Sequence, residues 1–235
     1  MTDQKIDQSS VAPGVVKPAI KTPNPKYLKF GGTYFHSASI IGWKNVFVTD
    51  EYIEILTNAL RMIEVRSDVK NLAYVIMPNH FFWMFRLSDK HNNPYEVVCS
   101  LKKMVSLAIL KTLDEEMRTK PFKLAPLFRW NKNVNRSAPD KILGFFSEVA
   151  QKMEGNHKHR VWMPKTEIRL LESDSLRRQK LEIIKTAPTT ARWKLVETAE
   201  KYPYLHVSDE MLEEFAHLGE DAGVHQMPIM VPAMA

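Results

Sequence analysis

With one cysteine among 235 residues there is no partner for an internal disulfide, so the chain is not a stapled secreted scaffold. Cys99 lies among apolar residues of an expected helix and reads as a buried structural thiol in a reducing compartment. Long apolar runs are absent too. None approaches the roughly 20 residues needed to cross a bilayer, which argues against a membrane protein. The N-terminal residues are polar and form no signal-peptide core, so a cytoplasmic location is expected. Glycine is scarce, at 8 residues, and this excludes nothing by itself.

What is present fits a globular domain with extensions, since the chain is long enough for one good core. The hydrophobic fraction of 44% and charged fraction of 26% are ordinary for that class. A net charge of +6 is compatible with an anionic partner, although many basic proteins bind none.

Residues 1–26 are rich in Ser, Pro, Lys, Asp and Gln, lack periodicity, and read as a disordered arm. A domain is expected over 27–207, followed by a C-terminal helix and flexible tail over 208–235. Within the domain, Thr33 to Ile41 has strand composition. Thr49 or Asp50 can cap a helix carrying Ile53, Leu56, Ala59, Leu60 and Ile63 at helical spacing. Two strands, 71–77 and 80–87, are separated by the turn-forming Pro78-Asn79. Asn93-Pro94-Tyr95-Glu96 is a helix start, and that helix should run to about Met117. Further helices are expected over 139–153 and 173–186, with a short strand at Arg160-Val161-Trp162 between them. Ser208 can cap an acidic helix to about Leu218. The element order suggests an α+β fold, a ferredoxin-like antiparallel sheet with helices on one face.

The stretch from Tyr74 to Phe85 carries the most chemistry. Two histidines one residue apart on a strand share a face and can grip one divalent cation. Here His80 occupies the first place and Phe82 the second. A lone histidine of this kind is more often packed or hydrogen-bonded, and Phe81, Phe82, Trp83 and Phe85 read first as core.

From Gly32 to Val207 the chain resembles the REP-associated and insertion-sequence single-tyrosine (HUH-type) transposases. The resemblance rests on Gly42-Trp43 with Val46-Phe47, on Tyr74-Val75-Ile76-Met77-Pro78-Asn79-His80, on Val161-Trp162, and on Gln179-Lys180-Leu181 leading to Pro188. It implies an enzyme ancestry in which paired histidines and a third polar ligand hold a metal, and a helix tyrosine attacks single-stranded DNA to form a phosphotyrosine. The positions that match those roles hold Phe82, Ile183 and Ala187, which supply neither ligand nor nucleophile. His80 is the remnant ligand. The resemblance therefore implies a catalytically degenerate member with no cofactor, Mg or Mn being required only if the site is active after all.

Two sets of residues offer a rearranged site. His157-Lys158-His159 is an alternative histidine pair, read as an exposed basic turn, and Tyr202 and Tyr204 follow the helix and its terminating proline. DNA binding requires only Lys and Arg on a suitable surface. The candidates are Lys102, Lys103, Lys111, Lys132, Arg136, Lys158, Arg160, Arg177, Arg178 and Lys185. The expected function is binding of single-stranded or hairpin DNA by a cleavage-deficient, domesticated transposase fold, with a homodimer implied by the resemblance. The alternatives are a structural or protein-interaction subunit, whose partner docks on the uncharged tail at 224–235, and an active metal-dependent nuclease with a rearranged site.

Overall fold

The hairpin of β2 (Val69–Met77) and β3 (His80–Leu87) organises the molecule. Met77 pairs directly with His80, so Pro78 and Asn79 alone make the turn. Proline has no N–H to donate, but its carbonyl accepts from the Phe47 amide at 2.9 Å, and the Asn79 carbonyl accepts from Ile40 at 2.8 Å. The turn is thereby clasped by the segment after β1 (Thr33–Ser39). The structure is a computed structural model that describes residues 28–90, 93–119, 123–129, 131–132, 134–153, 157–164 and 167–216. The expected N-terminal arm and the tail at 224–235 lie outside the described residues.

β3 pairs antiparallel with both β1 and β2. β4 (Glu167–Leu170) adds to the outside of β1, and β5 (Leu205–Val207) to the outside of β2. The order is β4-β1-β3-β2-β5, and its first four strands have the ferredoxin-like arrangement. A bulge between Asn71 and Ala73 switches the side-chain faces of β2 part-way along.

α1 (Asp50–Arg66) begins where the Thr49 hydroxyl accepts the Tyr52 amide at 3.4 Å, and it buries Ile53, Leu56, Ala59, Leu60 and Ile63. α2 (Pro94–Thr119) starts at Asn93, whose Oδ1 accepts the Tyr95 amide at 3.1 Å and whose Nδ2 donates to Glu96 at 2.8 Å. Both helices cover the sheet face of Phe81, Trp83 and Phe85. The Trp83 indole donates to Asn71 Oδ1 at 2.8 Å, and Asn71 donates to the Leu60 carbonyl of α1 at 3.1 Å. Trp162 meets Phe81 edge-on at 5.7 Å and donates to the Lys102 carbonyl of α2 at 3.1 Å. This is the antiparallel α+β class read from the sequence, but the sheet carries helices on both faces rather than on the one expected. α3 (Pro139–Lys152) packs on α2. α4 (Asp174–Thr186) and α5 (Asp209–Ala216) lie against the other face: Lys180 sits 4.3 Å over the Phe35 ring, and Arg86 pairs with Glu210 and Glu214.

Three local expectations are corrected. The expected strand at Arg160-Val161-Trp162 is only a single bridge, Ile40 to Trp162, and the fourth strand is instead the polar β4. β5 also forms beyond the elements read from periodicity. Cys99 is exposed, because α2 turns Val97, Val98 and Leu101 inward and leaves position 99 outside.

Candidate nucleic-acid interface

His80 begins β3 and is held in one tautomer by its neighbour. Asn79 Nδ2 donates to the Trp43 carbonyl at 3.1 Å, which turns Asn79 Oδ1 toward His80. An amide oxygen can only accept, so the 2.9 Å contact requires His80 Nδ1 to carry the proton. The Nε2 lone pair is left over, and among the described residues nothing hydrogen-bonds to it. Burial pushes the imidazole pKa down to about 4, with the nearby Arg192 charge adding to the effect. The ring is therefore neutral at physiological pH.

Three aromatic rings surround it. Phe82 meets His80 edge-on at 5.0 Å, Trp43 edge-on at 6.4 Å, and Trp193 lies tilted at 6.0 Å. The Arg192 guanidinium is 5.7 Å from both indole centroids. Trp43 follows Gly42 in a tight turn where both residues have positive φ, +63° at the glycine and +53° at the tryptophan. Gly42 is required there: a Cβ would lie 2.4 Å from the Phe145 ring. Nearby, Asn131 donates to the Trp193 and Lys194 carbonyls and Asn45 donates to the Asn135 carbonyl.

The residues present do not fit a metal. His80 offers one donor atom, while Phe82 beside it on the same sheet face offers none. On α4 the buried positions are Lys180, Leu181 and Ile184, and Ala187 is buried just after the helix. Ile183 is half-buried, and its carbonyl accepts the Ala187 amide. Lys180 pairs with Glu167 at 3.3 Å. Among the described residues, no group of three His, Cys, Asp or Glu side chains is arranged to hold an ion. His157 and His159 lie outside any strand. Tyr202 is buried and donates to the Ile76 carbonyl at 2.7 Å, and the Tyr204 hydroxyl donates to Asp50 at 3.4 Å.

The basic candidates separate into groups. Lys102, Lys103 and Lys111 lie on α2, with Lys103 and Lys111 exposed and Lys111 3.6 Å from Glu115. Lys102 is half-buried against Trp162, and burial lowers its amine pKa to about 8, with Cys99 opposing and Arg160 reinforcing the shift. Lys158 is exposed and Arg160 half-buried in the chain leading to Trp162. On α4, Arg177 pairs with Asp174 and Glu214, Arg178 lies over Phe215, and Lys185 is half-buried. Lys132 is exposed in the loop beside Trp193.

Arg136 is a correction. Its side chain is fully enclosed, pairs with Glu116 at 2.6 Å, and stacks over Tyr52 at 4.6 Å, so its charge serves the interior rather than a phosphate. The exposed Arg192, whose charge acts on His80, and the exposed Lys194 two residues on were not among the sequence candidates. The pattern Arg192-Trp193-Lys194 was the available signal, but it stands 112 residues after His80.

No family model and no curated protein matches the chain. Solved structures do. A REP-associated tyrosine transposase bound to a REP hairpin superposes over 91% of this chain and 99% of its own, with a TM-score of 0.53 and 13% identity. The likeness is one of fold. It agrees with the transposase-like fold read from Met77-Pro78-Asn79-His80, and at this identity residue roles are argued from this chain's own geometry.

Proposed function

We propose that this protein binds single-stranded or hairpin DNA on the His80 side of its sheet and does not cleave it. The reading rests on one observation: among the described residues His80 has no second donor beside it, Phe82 standing there instead, while the exposed Arg192 lies over the Trp43 and Trp193 rings that pack against it. Lys132, Arg192 and Lys194 are exposed on the loops that frame the site. Phosphate attraction requires no more than such charges, whereas strand transfer requires a nucleophile and a stabiliser of developing phosphate charge. A hairpin ligand bound to a protein of the same fold supports the choice of nucleic acid. The reading includes no requirement for Mg or Mn, and it takes the working unit to be a homodimer, which the mass in solution tests.

The test is a titration of hairpin and single-stranded oligonucleotides at several salt concentrations without divalent ions. Binding that weakens steeply and log-linearly with salt is the expected result. Absence of binding at low salt, with another protein copurifying, would favour the interaction-subunit alternative.

A further inference from the structure

The cluster around His80 has features that phosphate binding does not use. Trp43 is a bulky residue in left-handed backbone, a conformation that disfavours any side chain with a Cβ. Burial does not explain this placement, because the residue remains 39% exposed. Such outliers persist where surrounding structure enforces them, and they concentrate at ligand sites. Here the enforcement is explicit: the Trp43 amide donates to the Ile40 carbonyl at 3.0 Å, its carbonyl accepts from Asn79, and a Cβ at the preceding Gly42 would meet the Phe145 ring. The same Asn79 that fixes the Trp43 carbonyl also fixes the His80 tautomer, leaving the Nε2 acceptor uncommitted among the described residues.

We infer that Trp43, His80 and Arg192 form a pocket for one unpaired nucleobase. The base stacks on the exposed part of the Trp43 indole, its edge donates an N–H to His80 Nε2, and Arg192 meets the adjoining phosphate. Every base presents a π-face, so stacking tolerates any sequence, while the neutral imidazole selects for a donor edge. Arg192 already lies over the Trp43 ring, within reach of a phosphate whose base is stacked there. The site where the fold would carry a metal ligand becomes, in this chain, a place that reads a base. This inference rests on the nucleic-acid reading above.

The experiment compares an oligothymidylate with an abasic phosphodiester strand of equal length and charge, in wild type, Trp43→Phe and Trp43→Gly. Glycine suits the left-handed backbone, so Trp43→Gly removes the indole without forcing the turn. Wild type is expected to prefer the base-bearing strand by roughly tenfold, the scale of one stacked base, with quenching of indole fluorescence. Trp43→Phe retains much of that preference, and Trp43→Gly brings the ratio close to one with an unchanged circular dichroism spectrum. If Trp43→Gly keeps the wild-type ratio, the pocket is wrong. If wild type binds both strands equally, the pocket is wrong while DNA binding stands. If neither strand binds at low salt, both readings fall.

Discussion

Asn79 Oδ1 accepts the proton of His80 Nδ1 at 2.9 Å, and this single contact decides what His80 can do. It leaves a neutral ring with its lone pair on Nε2. Replacing Asn79 by Asp keeps an acceptor for Nδ1–H but removes the donor to the Trp43 carbonyl. Asn79→Asp is therefore expected to keep the His80 tautomer, read by the ring nitrogen shifts in NMR, while loosening the Trp43 turn and weakening the base-dependent part of DNA binding.

Acid stability follows from two desolvated imidazoles, one fully buried and one half-buried. His36 is fully buried, with Nδ1 3.0 Å from the Glu167 carbonyl and Nε2 unpartnered among the described residues. Burial lowers its pKa to about 3, against about 4 for His80. The unfolded chain takes up these protons near pH 6.5 and the folded chain does not. Stability is thus complete above about pH 6.5 and is lost as pH falls toward 4 and then 3. Urea midpoints measured from pH 7.5 to 4.5 should decline, and His36→Leu should flatten the decline.

The Arg136–Glu116 pair makes a stability prediction. Arg136→Met leaves the Glu116 carboxylate, 9% exposed and bonded to the Tyr52 hydroxyl at 2.9 Å, without its counter-charge. A loss of about 3–5 kcal/mol in urea unfolding is expected. Replacing Glu116 by Leu in the same chain should recover most of it, because two apolar side chains leave no buried charge.

Gly42→Ala tests the turn beneath the site. The new Cβ would meet the Phe145 ring at 2.4 Å from a backbone with φ of +63°. The expected cost is about 1–3 kcal/mol, read from thermal unfolding, with displacement of Trp43.

If the protein binds DNA as proposed, the exposed cations Arg192, Lys194 and Lys132 should set the salt response. Alanine at Arg192, Lys194 or Lys132 should each lower affinity for all sequences alike and reduce the slope of log K against log salt by about 0.7–0.9. Arg136→Lys should leave the slope unchanged.

The helices were largely legible in the sequence because most carry a capping residue, or a proline at the first turn as α3 does, together with an apolar stripe, as Thr49 with Ile53 to Ile63 illustrates. The Met77-Pro78-Asn79-His80 turn was equally clear, since proline and asparagine permit little else. Edge strands were not. β4 reads Glu-Ile-Arg-Leu and β5 spans three half-covered or exposed residues, so neither shows the apolar run that marks a central strand. The aromatic setting of His80 was also hidden, because Trp43, Phe82 and Trp193 meet only after folding. Arg136 looked like a phosphate contact for the same reason: its partner Glu116 lies 20 residues away on α2.

The central claim, binding without cleavage, is tested most directly by incubating a labelled hairpin oligonucleotide with excess protein and Mg or Mn, at a salt where a native gel shows the complex. Denaturing electrophoresis should then return the oligonucleotide intact and free of protein. A band of covalently joined protein and DNA, or a shortened oligonucleotide, would contradict the account.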